Sequence, residues 1–185
     1  MKHGNEEIEM RLKLMWGVVI GAVLVTAMGY SGRLLATPGS GFSASTIAQG
    51  RFDDIDVASQ VLREFGDATP KRDLWLSLQK TKGPSDLFVQ SNLWVPGGYT
   101  GWHTHPGHSL IIVTEGAITA YDGDDPTCTP TVYTVGMGLV DPGGDHTHNL
   151  RNEGTVDART VAVQLIPASS PMRRIDAPAP GSCPF

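Results

Sequence analysis

Short apolar segments separated by Gly, Pro and Asp turns dominate the chain after Pro70. Six of these segments have the length, and the β-branched or aromatic content, that is typical of β-strands. Runs such as PGG, DGDDP, DPGG and NEG stand between them and favour tight turns. Several short strands at close spacing predict an all-β sandwich or barrel. The six predicted strands are residues 73–80, 85–95, 108–116, 117–123, 131–136 and 158–166.

The chain before these strands lacks such a pattern. Residues 36–50 are small and polar, which predicts a linker or a loosely attached arm. Farther on, residues 52–58 fit a strand and residues 58–65 fit a short helical turn. The later segments contain no internal repeat, so one barrel is expected rather than two. The predicted organisation is an N-terminal segment 1–32, a linker and arm 33–70, a barrel 71–168 and a C-terminal tail 169–185.

The N-terminal segment contains an uncharged apolar run over residues 14–32, bounded by Lys13 and Arg33. As a helix it is about 28 Å long, close to the thickness of a hydrocarbon core. Two interpretations stay open, a cleaved signal peptide and a retained single-pass anchor with its N-terminus inside. The anchor fits slightly better because acidic residues precede the run and no clean Ala-x-Ala site follows it. Either interpretation predicts that the rest of the chain is extracytoplasmic, secreted or membrane-anchored.

Composition narrows the class of partner. The chain has 185 residues, a formal net charge of −5 and a pI near 5.6. Phosphate backbones require a concentrated basic face, and no run of Lys or Arg supplies one, so nucleic acid is not expected as a partner. With 40% hydrophobic residues and many Gly and Pro, the composition suits a turn-rich globular domain.

The two cysteines agree with an oxidising compartment. Cys128 lies in the turn-rich sequence DDPTCTP, and Cys183 lies in the terminal sequence GSCPF. One pair of cysteines outside the cytoplasm readily forms a disulfide, which here would hold the Pro-rich C-terminal tail. The alternative is two unrelated thiols.

A pair of histidines is the first candidate for chemistry. His103 and His105 lie in Gly-Trp-His-Thr-His-Pro, and residues two apart in a strand point to the same face. Two imidazoles on one face suit Zn, Fe, Cu, Ni or Mn, provided that further donors complete the site. By itself an His-x-His pair is weak evidence for a metal.

The spacing around these histidines is more specific. Residues 97–116 follow the pattern G-x5-H-x-H-x3-S-x6-G, and residues 136–152 follow G-x5-P-x-G-x3-H-x3-N. Together they resemble the two motifs of the cupin superfamily, in the same order. The resemblance covers the strand-rich body of the chain and implies a single antiparallel jelly-roll barrel. It also implies that His103, His105 and His148 bind one divalent metal.

One departure concerns the glutamate of the first cupin motif, whose position is Ser109 here. A hydroxyl is a poor metal ligand beside a carboxylate, and Glu115 lies about 20 Å farther along an extended strand. The resemblance then implies a site of three neutral imidazoles. Such a site disfavours hard ions such as Mn and leaves Fe, Zn, Ni or Cu.

A second departure is one extra residue before His148, which brings in His146. His146 and His148 are two apart and can share a strand face. His146 is therefore a fourth ligand, a residue that orients the ligands, or the true third ligand in place of His148. The spacing to Asn152 favours His148. Asp141 and Asp145 flank the Pro-Gly-Gly sequence and suit turn chemistry.

Three functions stay open at this point. The first is a metal-dependent dioxygenase or isomerase that acts on a small polar substrate. The second is a non-catalytic small-ligand-binding barrel at the cell surface, and the third is a metal-free structural barrel. A homodimer is compatible with all three. No residue has a role as general acid or base that the sequence alone assigns, because this fold hosts many unrelated functions.

Overall fold

In the part of the chain that the structure describes, ten strands form one antiparallel sheet that curls into a nearly closed barrel, and two more form a separate hairpin. A computed structural model of the chain describes residues 36–65, 71–183 and 185. The all-β prediction is confirmed for this part of the chain. The strands are β1 Ser40–Phe52, β2 Asp56–Phe65, β3 Lys71–Lys80, β4 Ser85–Tyr99, β5 His103–Thr104, β6 Ser109–Glu115, β7 Ala117–Asp122, β8 Thr131–Thr134, β9 Gly138–Asp141, β10 His148–Arg151, β11 Ala158–Pro167 and β12 Ile175–Asp176.

The large sheet is organised around β4. Its strand order is β12-β5-β10-β4-β11-β6-β9, with β1 added on β4 and the β7–β8 pair added on β10. β4 therefore pairs with β1 and β11 along most of its length and reaches β10 at its end. The apolar run 14–32, predicted as a helix, lies outside the described residues. Within the described ones, no helix has the length and apolar character needed to cross a bilayer.

Two predictions about the region before the barrel differ from the structure. Residues 36–50, expected as a linker or arm, include most of β1, which pairs with β4 from Phe52 back to Ser40. The Phe42 ring packs on Trp94 at 4.7 Å between centroids. The small, polar residues around Phe42 do not predict this contact. The helical turn expected over 58–65 is wrong. These residues form β2, whose backbone groups bond to β3 instead of to one another.

The barrel core follows the two-residue period of its strands. In β6 the side chains of Ser109, Ile111 and Val113 are buried, while Leu110 and Ile112 point outward and are 52% and 53% exposed. The run is apolar on both faces, so only the pairing decides which face is inside. The main core cluster consists of Trp94, Ile111, Val113, Ile118, Leu139, Leu150, Ala158 and Ala162. The structure describes a single chain, and the homodimer remains a prediction.

The C-terminal segment packs against the barrel near β5. β12 pairs with β5, and Trp102 and Cys183 are fully buried in a second apolar cluster. The predicted disulfide between Cys128 and Cys183 is present, with 5.3 Å between the Cα atoms. Residues 169–185, expected as a tail, are thus held against the site described next.

Candidate metal centre

The histidines of the two motifs meet because their strands are neighbours. β5 and β10 pair with His103 directly opposite His148. His105 follows two residues after His103 on the same face, while Thr104 points away and donates its hydroxyl to the carbonyl of Gly144. The Gly144 amide in turn donates to the His105 carbonyl at 2.7 Å. The pairing of β5 with β10 therefore fixes His103 beside His148, and the bonds to Gly144 of the Pro-Gly-Gly turn fix the backbone at Thr104 and His105.

The three imidazoles predicted as ligands converge. His103, His105 and His148 each offer a ring nitrogen, and these nitrogens all lie within 4.8 Å of one another. The ring centroids are 4.3 Å apart for His103 and His148, 4.9 Å for His103 and His105, and 5.7 Å for His105 and His148. Three nitrogens at about 2.0–2.1 Å from one ion fit this spacing.

Hydrogen bonds to carbonyl groups fix which ring nitrogen can bind a metal. The Nδ1 atom of His103 lies 2.9 Å from the Gly101 carbonyl, and that of His105 lies 2.6 Å from the Arg173 carbonyl. A carbonyl only accepts, so both Nδ1 atoms carry the proton and both Nε2 atoms have a free lone pair. Metal-binding histidines typically use this arrangement, because it sets the ring orientation and raises the basicity of the ligand atom.

The three imidazoles are neutral. Burial, with a further contribution from the neighbouring imidazole of His105, lowers the pKa of His148 from 6.5 to about 3. Burial likewise lowers the pKa of His103 and of His105 below the ordinary value. The charge on Arg174 acts in the same direction on all three. Protons therefore do not compete with a metal for these nitrogens near neutral pH.

Asp141 supplies a carboxylate at the same place. It is 3% exposed at the end of β9 and is the Cα partner of Ser109 across the sheet. Its Oδ2 atom lies 3.6 Å from His105 Nε2, and its Oδ1 atom lies 3.5 Å from His148 Nδ1. The carboxylate also accepts from the Gly143 amide at 2.9 Å and from the Ser109 hydroxyl at 3.4 Å.

The contact between Asp141 and His105 bears on the metal question. His105 Nε2 has a lone pair and no proton, and it faces an acceptor oxygen at 3.6 Å. Two such atoms repel each other unless a cation or a proton lies between them. An ion with ligands at about 2.0–2.2 Å from each atom satisfies both. The turn role predicted for Asp141 agrees with its bond to Gly143, whereas its place beside the histidines was not predicted.

The other candidate residues lie outside the cluster. His146 turns toward the surface, with its Nε2 atom 3.3 Å from Asp122 and its Nδ1 atom 3.8 Å from Asp124. Its ring is 6.1 Å from that of His148, and it is not part of the three-histidine group. Ser109 is buried beside the site, and its hydroxyl bonds to the carboxylate of Asp141.

A cavity of about 150 Å³ adjoins the imidazoles inside the barrel. Besides the histidines, its walls include Trp94 and Gln164 from the sheet and Arg173 and Arg174 from the C-terminal segment. The two arginines were not expected at the site, because about seventy positions of chain separate them from His103. They are brought there by the pairing of β12 with β5. An Arg-Arg dipeptide in a tail gives no sequence signal for such a position.

Comparison with known proteins finds one matching family model and several similar solved structures. Residues 93–164 match the family model of the cupin domain. No curated protein matches the sequence significantly. Among solved structures, an oxalate oxidase is 20% identical over 44% of this chain and 46% of its own, with a TM-score of 0.38. A polyketide cyclase, RemF from Streptomyces resistomycificus, is 20% identical over 49% of this chain and 60% of its own, with a TM-score of 0.42.

This chain spans less than half of the oxalate oxidase chain that it matches. The family match begins within β4 and ends within β11, so it includes both histidine motifs and the strands that bring them together. The match covers about two-fifths of the chain and confirms, over residues 93–164, the resemblance to the cupin domain that the two motifs predicted.

Proposed function

We propose that this protein is a metal-dependent cupin enzyme that binds one divalent transition metal through His103, His105 and His148. The observation that supports the proposal is the convergence of three neutral, buried imidazoles beside a cavity. A metal held this way, when bound, supplies Lewis acidity and a template for a small polar substrate, as in a dioxygenase or an isomerase. The protein residues fix the orientation of the ligands, and the barrel walls limit the access of water.

Asp141 belongs to the proposed site as its carboxylate. The expectation from sequence of Fe, Zn, Ni or Cu rested on a site without an anionic ligand. With Asp141 at 3.6 Å from His105 Nε2, that argument against Mn no longer holds. Metal titrations should therefore include Mn beside the other four ions.

The location proposed is outside the cytoplasm. The disulfide between Cys128 and Cys183 supports it, because such bridges persist in oxidising compartments. Whether the chain is secreted or anchored through residues 14–32 follows from N-terminal sequencing of the protein recovered from its host. A start near residue 30–37 means a cleaved signal, and Met1 in the membrane fraction means an anchor.

The direct test of the proposed function uses protein purified without an affinity His tag. Metal content after equilibration with Fe(II), Zn, Ni, Cu or Mn is expected to reach one ion per chain. The ferrous form is then expected to consume oxygen with one of a panel of small thiols and diols, or to isomerise a polar substrate followed by NMR. Metal binding without turnover supports the non-catalytic ligand-binding alternative, and metal far below one per chain refutes the site.

A second prediction concerns Asp141. Replacing it with asparagine keeps an oxygen for the Gly143 amide but removes the negative charge beside His105 and His148. We expect the metal dissociation constant to rise about 10–100-fold, as is usual when a carboxylate that supports a metal site is removed. Isothermal titration with Zn measures it directly.

Asp145→Asn is the matched control for Asp141→Asn. Asp145 lies in the same turn as Asp141, but its side chain is exposed. The Asp145→Asn variant should therefore bind Zn with wild-type affinity. Equal Zn affinity in Asp141→Asn and the wild type, with both proteins folded, would show that this carboxylate has no part in the site.

A further inference from the structure

The cavity beside the imidazoles is charged on one side. We propose that it binds a small carboxylate anion, with Arg173 and Arg174 as the recognition residues. The proposal rests on the proposed function, because the ligand would occupy the same cavity as the metal. None of the described residues that line the cavity is acidic. Two carboxylates contact lining residues without lining the cavity themselves: Asp141 lies beside His105 and Ser109, and Asp176 pairs with Arg174.

The guanidinium of Arg173 is positioned by an aromatic ring and an amide, neither of which neutralises its charge. It lies over the Phe88 ring at 4.5 Å, where the aromatic face stabilises a cation. With the Gln90 amide turned so that its oxygen faces the guanidinium, that oxygen accepts from both Nη atoms at 2.9 and 3.2 Å. No carboxylate of the described residues lies within ion-pair distance of it. These bonds occupy the edge of the guanidinium between its two Nη atoms. The edge formed by Nε and one Nη remains available for a carboxylate, which it can bind with two parallel hydrogen bonds.

The backbone of Arg173 ties this recognition residue to the metal centre. Its carbonyl accepts from His105 Nδ1 at 2.6 Å and from Gln164 Nε2 at 3.4 Å. The position of the arginine is thus coupled to the orientation of a metal ligand. A carboxylate held by Arg173 would lie in the same cavity as the open side of the three-histidine group.

Arg174 adds a second, partly compensated charge. Its Nε atom donates to Asp176 at 2.6 Å, and one Nη atom donates to the Thr100 carbonyl at 2.7 Å. These bonds fix the side chain at the cavity wall. Since Asp176 offsets its charge, Arg173 is expected to contribute more of the preference for anions.

An orphaned acceptor indicates what else the ligand carries. Gln164 is 2% exposed and lines the cavity, and its Oε1 atom has no hydrogen-bond partner among the described residues. A buried acceptor without a donor is costly, so a ligand hydroxyl at this position would be favourable. The cavity of about 150 Å³ accommodates a ligand of a few carbon atoms. A small hydroxycarboxylate fits this space and offers a partner to both Arg173 and Gln164.

The test compares three small molecules on the Zn-loaded protein by isothermal titration calorimetry. Lactate carries the charge and the hydroxyl, lactamide lacks the charge, and propionate lacks the hydroxyl. We expect lactate to bind at least about tenfold more tightly than lactamide, as a charge-assisted hydrogen bond implies. Propionate should be intermediate. Equal binding of lactate and lactamide would overturn the proposal.

Variants assign the effect to the arginines. Arg173→Gln should lose most of the preference for lactate over lactamide, and Arg173→Lys should lose part of it, because lysine keeps the charge but not the planar fork. Arg159→Gln is the matched control, since Arg159 pairs with Glu115 and does not line the cavity. If Arg173→Gln does not fold, Arg173→Lys and Arg174→Gln still decide the outcome. An unchanged preference in the folded variants refutes the assignment.

The metal content of every sample separates this proposal from the proposed function. If the wild type binds Zn at one ion per chain but does not discriminate lactate from lactamide, the carboxylate proposal fails and the metal centre stands. If Zn does not bind, the proposed function fails. The same titrations on metal-free protein then show whether the arginines alone select an anion.

Discussion

The His148→Ala variant is expected to lose stoichiometric metal binding. His148 is one of the three imidazoles in the group, it is 4% exposed, and no other described histidine belongs to the group. Removing an outer hydrogen-bond partner of a metal ligand typically costs about 10–100-fold in affinity, and removing the ligand itself costs more. Zn titration followed by metal analysis measures the loss. His103→Ala should behave in the same way.

His146→Ala is the matched control for this prediction. It is the same substitution two residues away, and its imidazole faces Asp122 and Asp124 instead of the cluster. We expect wild-type Zn affinity. If His146→Ala lost the metal while folded His148→Ala kept it, the ligand assignment would be reversed. Circular dichroism of each variant establishes that the barrel is intact before the titrations are compared.

Of the substitutions proposed here, removing the disulfide is expected to lower the free energy of unfolding the most. The bridge joins Cys128 and Cys183 across 55 residues of sequence. A loop of this length corresponds to about 4 kcal/mol of loop-closure entropy in the unfolded chain, within a usual range of about 2–5 kcal/mol. Urea unfolding of the Cys128→Ser/Cys183→Ser variant should show a drop of this size in the free energy of unfolding. The segment held by the bridge also carries Arg173 and Arg174.

The single variant Cys128→Ser controls for the change of side chain. It breaks the same bridge, so its loss of stability should equal that of the double variant within about 1 kcal/mol. The wild type unfolded in a reducing buffer should show the same decrease. Two alkylated cysteines in mass spectra of the folded, unreduced protein would contradict the bridge.

The metal centre shows how far the sequence alone reached. The period of a β-strand predicted that His103 and His105 share a face, and the resemblance to the two cupin motifs added His148 to the set. Asp141 was not predicted as a site residue because its position depends on the pairing of β9 with β6, which the sequences of the two strands do not specify. Arg173 was not predicted because its position depends on the pairing of β12 with β5, two strands far apart in sequence.

The regions flanking the predicted barrel show the same limit. β1 contains Ser, Ala, Thr and Gly, a composition that predicts a linker, yet its backbone pairs with β4 along almost its full length. A strand at the edge of a sheet is stabilised chiefly by its neighbour's backbone, so its own side chains need not form an apolar pattern. The pairing of β2 with β3 overrides local helix propensity in the same way.

The sequence by itself predicted the all-β class, the strands with clear apolar patterns and, through the resemblance to the cupin motifs, the three histidines. These features depend on period, turn chemistry and motif spacing, which are properties of short segments. The disulfide followed from the presence of two cysteines in a chain expected outside the cytoplasm. The tertiary structure decided the direction of His146, the carboxylate of Asp141 beside the imidazoles and the arginines at the cavity. Each of these depends on contacts between strands distant in sequence, and only the folded sheet specifies which strands are neighbours.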